Sequence, residues 1–478
     1  MEGDEARMPF ISGLVKGGRV HFTGICGTAM ASVAGELHSL GYRVTGSDSR
    51  AYPPMSTYLE NLGIQVIEGF DAKNLEPAPD LTVIGNAVSR GNPEVEEALE
   101  KGLPFTSLAE LIEAVFLPGK APVVVTGTHG KTTTTALITW IMREGGLDPS
   151  WLIGGVPLGL GAGFRVGKGE PFVLEGDEYD TAFFDKRSKF LHYRPRVLIL
   201  NNLEYDHADI YPDMERLRET FRHLLRIVPR GGLIIANADE PEVTALLDNP
   251  PCPVVTYTMK GAKAHYAGTA SPGKLLVAGP EGFTAEISHE MVGSHQGWNI
   301  LAGVIACRRF GLDAGAIISG IKSFPGVKRR AEKRGEERGI VVFDDFAHHP
   351  TAIRTTLRGF RELYPERRIF ALLEPRSNTM RRAVFQEALG NSFGDANFVA
   401  IREVPNPEKV VDGKVLDVKA LAKAVSKGGV PAEAFPDAGA IIDRISRYAR
   451  EGDVVVVLSN GGFEDIHERL LSALREKS

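Results

Sequence analysis

The segment Val123-Val124-Val125-Thr126-Gly127-Thr128-His129-Gly130-Lys131-Thr132-Thr133 decides the fold class of this chain. Its first four residues predict a buried strand because they are β-branched and mostly apolar. A helical pattern from Thr132 to Glu144 begins directly after the loop and ends at the glycine pair Gly145-Gly146. A strand, a glycine-containing loop and a helix in this order predict a parallel α/β unit.

The loop of this unit has the chemistry of a phosphate-binding site. Its glycines let backbone N–H groups face one point, and the following helix adds its positive amino-terminal end. Lys131 can place a charge on the β- and γ-phosphates, and Thr132 can offer its hydroxyl to Mg²⁺. The match to the general P-loop is partial, because the pattern's first glycine falls at Val125 and the glycine is at Gly127. The alternative, an ordinary strand-to-helix turn, explains poorly the lysine and four threonines at one helix start.

Two further strand ends carry residue types that bind metal ions. The acidic run Glu175–Asp180 follows the apolar segment Pro171–Leu174, and Asp206-His207 come shortly after Val197–Leu200. Ligands bind at the carboxyl ends of strands in open α/β sheets. Carboxylates suit Mg²⁺, and the imidazole of His207 could complete a second metal site. Each cluster alone could be a solvated loop or a helix cap, but their shared setting with the phosphate loop favours metal binding.

Two other strand–loop units complete the organisation of the chain. Arg19–Thr23 leads into Gly24–Gly27, and Ile340–Phe343 leads into Asp344–Pro350. Strands that alternate with helices predict doubly wound parallel sheets. We predict three α/β domains, with boundaries at 1–118, 119–327 and 328–478, and small additional strands late in the middle domain, near residues 254–255, 275–277 and 283–287.

The amino-terminal loop has two interpretations. Gly24-Ile25-Cys26-Gly27 is not a dinucleotide fingerprint, because its second glycine is displaced. It can still cradle a diphosphate, with Asp48 at the end of the predicted strand Tyr42–Ser47 able to meet a ribose or a base. A tight packing turn is equally compatible with the residues. We interpret Cys26 as a small loop residue and not as a nucleophile.

The composition restricts the class of protein. The chain has 478 residues, of which 43% are hydrophobic and 24% charged, as expected for a soluble protein of several domains. A formal charge of −6 and the lack of a long basic run argue against a nucleic-acid partner. Three widely spaced cysteines indicate a reducing compartment. The acidic start Met1–Glu5 predicts no signal peptide, and no segment reaches the ~18 apolar residues of a membrane helix. We therefore predict a cytoplasmic protein without a membrane partner.

Taken together, these motifs resemble those of the Mur ligase family, which builds the peptide stem of bacterial peptidoglycan. The resemblance covers essentially the whole chain and rests on Gly24–Met30, Gly127–Thr133, Glu175–Asp180, Asp206-His207, Ser294–Asn299, Arg330 and Asp344–Pro350. It implies a Rossmann-like amino-terminal domain that binds a UDP-linked substrate, a central P-loop ATPase domain with a parallel sheet plus small additional strands, and a Rossmann-like carboxyl-terminal domain that closes over ATP.

The resemblance also implies an ATP- and Mg²⁺-dependent ligase that forms an amide bond through an acyl phosphate. The implied catalytic residues are Lys131, Glu175, His207 and Arg330, and the implied metal ligands are Thr132, Glu175 and His207. The implied ATP contacts are Gly127, Thr128, His129, Gly130, Lys131, Thr132, Thr133, Asn299, Arg330, Asp345 and His348. The implied contacts to the UDP substrate are Gly24, Cys26, Gly27, Thr28, Ala29, Met30 and Asp48. For Arg330, a surface charge within a basic run is the alternative, which its place at the domain junction disfavours.

One departure from the family pattern identifies a branch. Members that add later stem residues carry a modified lysine shortly after the metal-binding histidine. Here no lysine lies between His207 and Met259, and Phe221 takes the equivalent place. The pattern resembles the branch that acts on UDP-N-acetylmuramate itself.

Within that branch, the amine donor is either a recycled tripeptide or L-alanine. Segments that resemble the tripeptide-adding enzyme are Asp177–Phe190, Glu374–Met380 and Leu458–Phe463. We predict L-alanyl-γ-D-glutamyl-meso-diaminopimelate as the donor, because its several carboxylates need cationic partners and arginine suits them. The predicted peptide-binding residues are Arg376, Ser377 and Asn378. Lys186, Arg187 and Lys189 are further candidates, for which a solvated basic turn is the equal alternative.

Two other functions remain open as alternatives. The first is ligation of L-alanine to UDP-N-acetylmuramate in de novo peptidoglycan synthesis. The second, more remote, is a nucleotide-binding regulatory protein without catalysis, which missing metal ligands would favour. Thr132, Glu175 and His207 are all present. We expect a monomer or a homodimer.

Overall fold

The computed structural model describes residues 14–51, 55–207, 210–271, 273–410 and 414–476. The acidic start of the chain, on which the signal-peptide prediction rests, lies outside these ranges. Among the described residues, no helix combines the length and the apolar character that a membrane crossing requires.

The amino-terminal part forms a parallel sheet of five strands in the order β3-β2-β1-β4-β5. Its elements are β1 (Arg19–Thr23), α1 (Thr28–Ser39), β2 (Arg43–Asp48), α2 (Met55–Asn61), β3 (Gln65–Glu68), β4 (Leu81–Ile84), α3 (Pro93–Glu100), β5 (Phe105–Ser107) and α4 (Leu108–Leu111). Local signals start the helices: Asn92 caps α3 ahead of Pro93, and Ser107 forms a capping box with Glu110.

The middle part of the chain holds the phosphate loop. Its elements are β6 (Ala121–Thr126), α5 (Lys131–Glu144), β7 (Ser150–Leu152), β8 (Phe164–Arg165), β9 (Pro171–Glu175), β10 (Val197–Leu200), α6 (Met214–Arg226), β11 (Leu233–Asn237), α7 (Pro241–Ala245), β12 (Val254–Thr258), β13 (Tyr266–Ser271), β14 (Lys274–Ala278), β15 (Thr284–Ser288), α8 (Gln296–Arg309) and α9 (Ala314–Lys322). Strand β6 lies between the parallel strands β9 and β10, so the loops after these three strands share one sheet edge. The small strands predicted near residues 254–255, 275–277 and 283–287 are present as β12, β14 and β15. Strand β12 pairs parallel with β11, whereas β13 to β15 pair antiparallel, and β14 and β15 bury alternate residues.

The carboxyl-terminal part forms a six-stranded sheet in the order β16-β17-β21-β18-β19-β20, parallel except for the edge strand β16. Its elements are β16 (Glu332–Glu337), β17 (Ile340–Asp345), α10 (Pro350–Leu363), β18 (Ile369–Leu373), α11 (Gln386–Gly390), β19 (Phe398–Arg402), α12 (Val418–Lys427), β20 (Ala432–Phe435), α13 (Ala438–Tyr448), β21 (Val454–Leu458) and α14 (Ile466–Arg475). Two apolar clusters cover the sheet, one containing residues of α10 and α12, the other residues of α13 and α14. The prediction of α/β domains with mainly parallel sheets is confirmed.

By packing, the chain forms two compact units. The first comprises Met1–Leu203, Glu215–Tyr266 and Leu301–Pro325, and the second comprises Glu204–Met214, Ala267–Ile300 and Gly326–Ser478. The phosphate loop therefore belongs to the first unit, whereas His207 and Asn299 belong to the second.

Candidate active site

The phosphate loop of the first unit needs glycine at its first position. Gly127 has a φ of +136°, and a side-chain carbon there would lie 3.0 Å from the carbonyl oxygen of Asn202. The Asn202 side chain binds both backbone groups of one loop residue: its Oδ1 accepts from the His129 N–H at 2.8 Å, and its Nδ2 donates to the His129 carbonyl at 3.1 Å. Gly130, at a φ of +80°, then starts α5. Asn202 was not among the predicted site residues, although its place after a strand end was a signal.

Lys131 is held by a carboxylate that the sequence prediction did not select. Its Nζ donates to the Gly127 carbonyl at 2.7 Å and to the Glu178 carboxylate at 2.8 Å. Glu178 is only 3% exposed. Burial disfavours the charge of Lys131, but Glu178 and Asp177 outweigh it and raise its pKa. Lys131 is therefore a fixed ammonium at the start of α5, the form that suits a phosphate.

Thr132 and Glu175, two of the predicted metal ligands, lie together. Thr132 Oγ1 donates to Glu175 Oε1 at 2.8 Å, and the Gly154 N–H donates to Glu175 Oε2 at 2.7 Å. A hydroxyl and a carboxylate beside a phosphate loop fit Mg²⁺, which prefers oxygen ligands. The glycine-rich turn at Gly154 also orients Glu175, and sequence reasoning missed it.

His207, the third predicted metal ligand, is strained and buried in the second unit. Its φ is +57°, and its N–H donates to Asp206 Oδ1 at 2.7 Å. Burial raises the pKa of Asp206, but His207, His348 and His349 together outweigh it and lower that pKa. The second unit therefore brings three histidines around one buried carboxylate, which includes the predicted residues His207 and His348.

Arg330 and Asp345 also lie together in the second unit. The residues on both sides of Arg330, Arg329 and Ala331, have positive φ values of 62° and 51°. The Ala331 N–H donates to Asp345 Oδ2 at 2.8 Å, and the Arg330 guanidinium stacks 4.9 Å from the ring centre of Phe346. Burial raises the pKa of Asp345 even though Arg330 opposes this. This strained turn holds the cationic Arg330 side chain in one position, which a solvated run of charges would not do.

Arg329, in the same turn, stabilises the local structure through its side chain. It donates to the Asp344 carboxylate at 3.2 Å and to the Gly461 carbonyl at 2.8 Å. Arg329 therefore joins the ends of β17 and β21 and fixes the turn that presents Arg330.

The segment before Asn299 is packed against α10. The Glu362 carboxylate accepts from the Ser294 N–H at 2.8 Å and from the Ser294 hydroxyl at 2.9 Å. Asn299 Nδ2 donates to Gln296 Oε1 at 2.8 Å. Gly359 of α10 has no room for a side chain, because a Cβ there would lie 2.8 Å from the Gly293 Cα. The helix that follows Asp345 and His348 thus also holds the segment that carries Asn299.

The amino-terminal loop of the first unit is a backbone cradle. The Gly24 N–H donates to the Ser47 carbonyl at 2.8 Å, and the Cys26 N–H donates to Asp48 Oδ2 at 2.9 Å. Asp48 therefore braces the loop, in addition to any contact with a ribose or base. Gly27 precedes α1, and the other predicted contacts, Thr28, Ala29 and Met30, form the first turn of that helix.

A fully buried glutamate supports this cradle from below. Glu94 accepts hydrogen bonds from the hydroxyls of Thr23 and Ser47, both at 2.7 Å, and from Asn74 at 2.7 Å. Burial raises the pKa of Glu94, but His21 and these donors together lower it. It stays ionised and ties together the ends of β1 and β2.

The predicted peptide-binding residues follow β18. Arg376 is exposed and lies against Gly461, where a side-chain carbon would be 2.2 Å from Arg376 Cδ. Asn378 is also exposed, and Ser377 Oγ accepts from the Met380 N–H at 3.1 Å.

The basic residues after β9, the other candidates for the peptide, are engaged within their own loop. Lys186, Arg187 and Lys189 pair with Asp180, Asp185 and Asp177 at 2.6, 2.7 and 2.8 Å. This pairing favours the basic-turn interpretation.

Phe221, which marks the branch, is buried in α6 and packs edge-on against Phe190 with ring centres 5.3 Å apart. An aromatic core contact thus occupies the place at which the family resemblance implies a modified lysine in other branches.

Comparison with known proteins identifies the family of the chain. Three family models match in order: the Mur ligase family catalytic domain at residues 19–117, the Mur ligase middle domain at 125–307, and the Mur ligase glutamate ligase domain at 329–461. The three-domain prediction is therefore confirmed, whereas the boundaries after residues 118 and 327 stay predictions.

Individual relatives span nearly the whole chain. It is 41% identical over 96% of its length to the UDP-N-acetylmuramate–L-alanyl-γ-D-glutamyl-meso-2,6-diaminoheptandioate ligase of Escherichia coli K12, of which 99% is covered. It is 33% identical over 96% of its length to the UDP-N-acetylmuramate–L-alanine ligase of Endomicrobium trichonymphae, covered completely. The crystal structure of a murein peptide ligase from Psychrobacter arcticus 273-4 superposes with a TM-score of 0.74 at 37% identity, covering 96% of this chain and 99% of that one. The chain belongs to the Mur ligase family.

Proposed function

We propose that this Mur ligase joins L-alanyl-γ-D-glutamyl-meso-diaminopimelate to UDP-N-acetylmuramate at the expense of ATP, as in peptidoglycan recycling. The observation that carries the proposal is the near full-length similarity to a relative named for this reaction. The buried Lys131–Glu178 pair and the Thr132–Glu175 contact support a catalytic role, because missing phosphate and metal ligands would favour the regulatory alternative and these residues are present.

The reaction has two steps. A carboxylate is a poor electrophile, so the lactyl carboxylate of the sugar acid first attacks the γ-phosphorus of ATP, which gives an acyl phosphate and ADP. The amine of the peptide's alanyl residue then attacks the acyl carbon, and phosphate leaves from the tetrahedral intermediate as the amine loses its proton. The protein must mainly position these groups and neutralise charge.

In this proposal the residues of the phosphate loop bind ATP. The His129 N–H is bonded to Asn202, so the phosphates are held by the amino-terminal end of α5, which begins after Gly130, and by the Lys131 ammonium. Thr132 and Glu175 would hold one Mg²⁺ and His207 a second, and the ions would neutralise phosphate charge when bound. The second unit contributes Asn299, Arg330, Asp345 and His348 to the nucleotide. Thr133 is buried and lies in the first turn of α5.

The amino-terminal cradle binds the UDP group. The N–H groups of Gly24 and Cys26 are used inside the loop, so the diphosphate is received by Gly27 and by the first turn of α1, which includes Thr28, Ala29 and Met30. We propose that the reaction takes place in the cytoplasm, which the UDP-linked substrate supports.

The alternative donor is L-alanine, which the similarity to an L-alanine ligase supports. The tripeptide is preferred because the identity to the tripeptide ligase is higher, at 41% against 33% over the same share of the chain. A tripeptide also explains exposed cationic and amide side chains at Arg376 and Asn378.

A competition assay tests the proposal. Purified protein receives ATP, Mg²⁺ and UDP-N-acetylmuramate with equimolar tripeptide and L-alanine, and the two products are quantified by mass spectrometry. We expect the tripeptide product to dominate by at least about tenfold, which corresponds to about 1.4 kcal/mol of transition-state discrimination. Dominance of the L-alanine product would reject the donor and leave the family intact. Turnover with neither amine would reject the function.

A further inference from the structure

Residues 177–190, between β9 and β10, form a braced loop of the first unit, the bridging arm. Its two sides are hydrogen-bonded to each other along its length. Near the base, the Ser188 hydroxyl donates to the Glu178 carbonyl at 2.7 Å. Nearer the tip, the Thr181 N–H and hydroxyl donate to the Arg187 carbonyl at 3.0 and 2.7 Å. Because both sides are joined in this way, the base and the tip of the arm are held at a fixed distance.

The base of the bridging arm holds the lysine of the phosphate loop. Glu178, the second residue of the arm, accepts from the Lys131 ammonium at 2.8 Å. Lys189 closes the base, because its Nζ pairs with the Asp177 carboxylate at 2.8 Å and its N–H donates to the Tyr179 carbonyl at 3.0 Å. The carboxylate that positions Lys131 is therefore fixed by contacts within the arm itself.

The tip of the bridging arm packs against the amino-terminal domain. Phe183 packs against a buried apolar cluster of that domain, which is formed by Ile84, Val88 and Val95. Phe184 lies edge-on to Phe105 of β5, with ring centres 5.1 Å apart. The arm thus extends from the phosphate loop of the middle domain to the end of β4 and β5 in the amino-terminal domain.

The apolar cluster under the tip lies directly against the UDP cradle. A side-chain carbon at Gly24, the first residue of the cradle loop, would be 3.3 Å from Val88 Cγ2. A single layer of side chains therefore separates the tip of the arm from the cradle.

A buried histidine connects the arm to the same domain a second time. His192 Nδ1 lies 3.1 Å from the Glu113 carboxylate of the amino-terminal domain, and His192 Nε2 lies 3.0 Å from the Asp185 carboxylate of the arm. The histidine is only 3% exposed. Burial raises the pKa of Asp185, but Arg187 and His192 together lower it, so Asp185 is an ionised partner for the ring.

We infer that Phe183 and His192 are positioning residues that set the distance between the UDP cradle and the phosphate loop. The inference rests on the proposed function, which identifies the two groups that must meet as the lactyl carboxylate and the γ-phosphate. Attack requires reacting atoms about 3–3.5 Å apart, and a misplacement of ~1 Å can cost on the order of 100-fold in rate. The arm therefore acts on the rate of acyl phosphate formation and not on the binding of either substrate alone.

The test measures binding and chemistry separately in Phe183→Ala and His192→Gln. Calorimetry gives the Kd of UDP-N-acetylmuramate and the Kd of a non-hydrolysable ATP analogue with Mg²⁺. Rapid quenching without the amine, at saturating substrate, gives the single-turnover rate of ADP formation. We expect this rate to fall by about 10- to 100-fold. Each Kd should change by less than about twofold, since both cradles and the Glu178–Lys131 pair stay intact.

Three further variants separate positioning from a general loss of structure. Phe183→Leu keeps an apolar side chain at the tip and should recover most of the rate. His223→Gln, at an exposed position of α6, and Ile227→Ala, at an exposed position just after α6, are matched controls in the same unit. Urea unfolding shows whether each variant is folded under the assay conditions.

An unchanged rate of ADP formation in both folded variants would overturn the inference. A loss that a higher Kd explains completely, or one that the two control variants reproduce, would also overturn it. A wild-type protein that forms no ADP with UDP-N-acetylmuramate would instead reject the proposed function, so the two failures are distinguishable.

Discussion

At the scale of single residues, the pairing of Lys131 with Glu178 changes what a substitution of the lysine does. Sequence reasoning alone treats Lys131→Ala as a loss of activity without unfolding. In the structure, the alanine would also leave the buried Glu178 carboxylate without its cation. We therefore expect the lysine to contribute both to catalysis and to stability.

We expect Lys131→Ala to reduce phosphate release by at least about 10³-fold, as removal of a phosphate-binding cation does. Its free energy of unfolding should fall by about 3–5 kcal/mol, because one partner of a buried pair is removed. The double variant Lys131→Met/Glu178→Gln should recover most of this stability and none of the activity. Urea unfolding and a phosphate-release assay measure the two quantities. Lys168→Ala, at an exposed lysine of the same unit, is the control. Recovered activity in the double variant would remove Lys131 from the phosphate site.

At the scale of elements, α10 connects two parts of the proposed nucleotide site. Its amino-terminal end follows Asp345 and His348, and its last turns hold the Ser294–Asn299 segment through Glu362 and Gly359. Because α10 is a single rigid helix of 14 residues, it can fix the Asp345–His348 loop and the Ser294–Asn299 segment relative to each other.

Gly359→Ala tests this contact. Replacing a helical glycine by alanine normally stabilises by about 0.5–1 kcal/mol. Here we expect a loss of about 1–3 kcal/mol, because the added carbon meets the Gly293 backbone. The same substitution should also raise the KM for ATP, since the segment that carries Asn299 must shift. Gly390→Ala, in α11, meets only the Ala424 side chain at 3.5 Å and is the matched control. Urea unfolding measures the free energy of unfolding of both variants. An equal change in the two variants would contradict the close packing of Gly359 against Gly293.

His295, in the same segment, gives the protein a pH dependence. Burial lowers the pKa of His295 from its usual 6.5 to about 4, although Glu362 opposes the shift. Gln296 Nε2 lies 3.1 Å from the ring Nε2, a contact that suits the neutral imidazole. The unfolded chain binds the His295 proton more readily than the folded chain. The contribution of neutral His295 to the free energy of unfolding is therefore fully present above about pH 6.5, and it decreases as the pH falls towards 4. We expect His295→Gln to flatten the decline in that window, measured as urea midpoints from pH 4 to pH 7. A parallel decline in wild type and variant would assign the effect to other groups.

At the scale of the whole molecule, ligand binding should stabilise the fold. A Mg²⁺ complex of a non-hydrolysable ATP analogue, at 100 times its Kd, adds about 2.7 kcal/mol to the free energy of unfolding if it binds only the folded chain. We expect the melting temperature to rise accordingly and EDTA to remove most of the rise. Glu175→Gln should keep the fold and weaken the Mg²⁺-dependent part, because Glu175 is a proposed ligand. A rise that EDTA leaves intact would contradict the metal site.

The sequence by itself determined the α/β class, the strand–loop–helix units and most candidate residues, because these depend on local periodicity and on loop chemistry at strand ends. It could place Lys131, Thr132 and Glu175 near one sheet edge, since parallel strands share that edge. Only the tertiary structure decided which groups meet through space. The Glu178 carboxylate binds the Lys131 ammonium, the Gly154 N–H binds the Glu175 carboxylate, and the Asn202 side chain binds the His129 backbone. These pairs join residues up to 73 positions apart, and no local pattern encodes the distance between them.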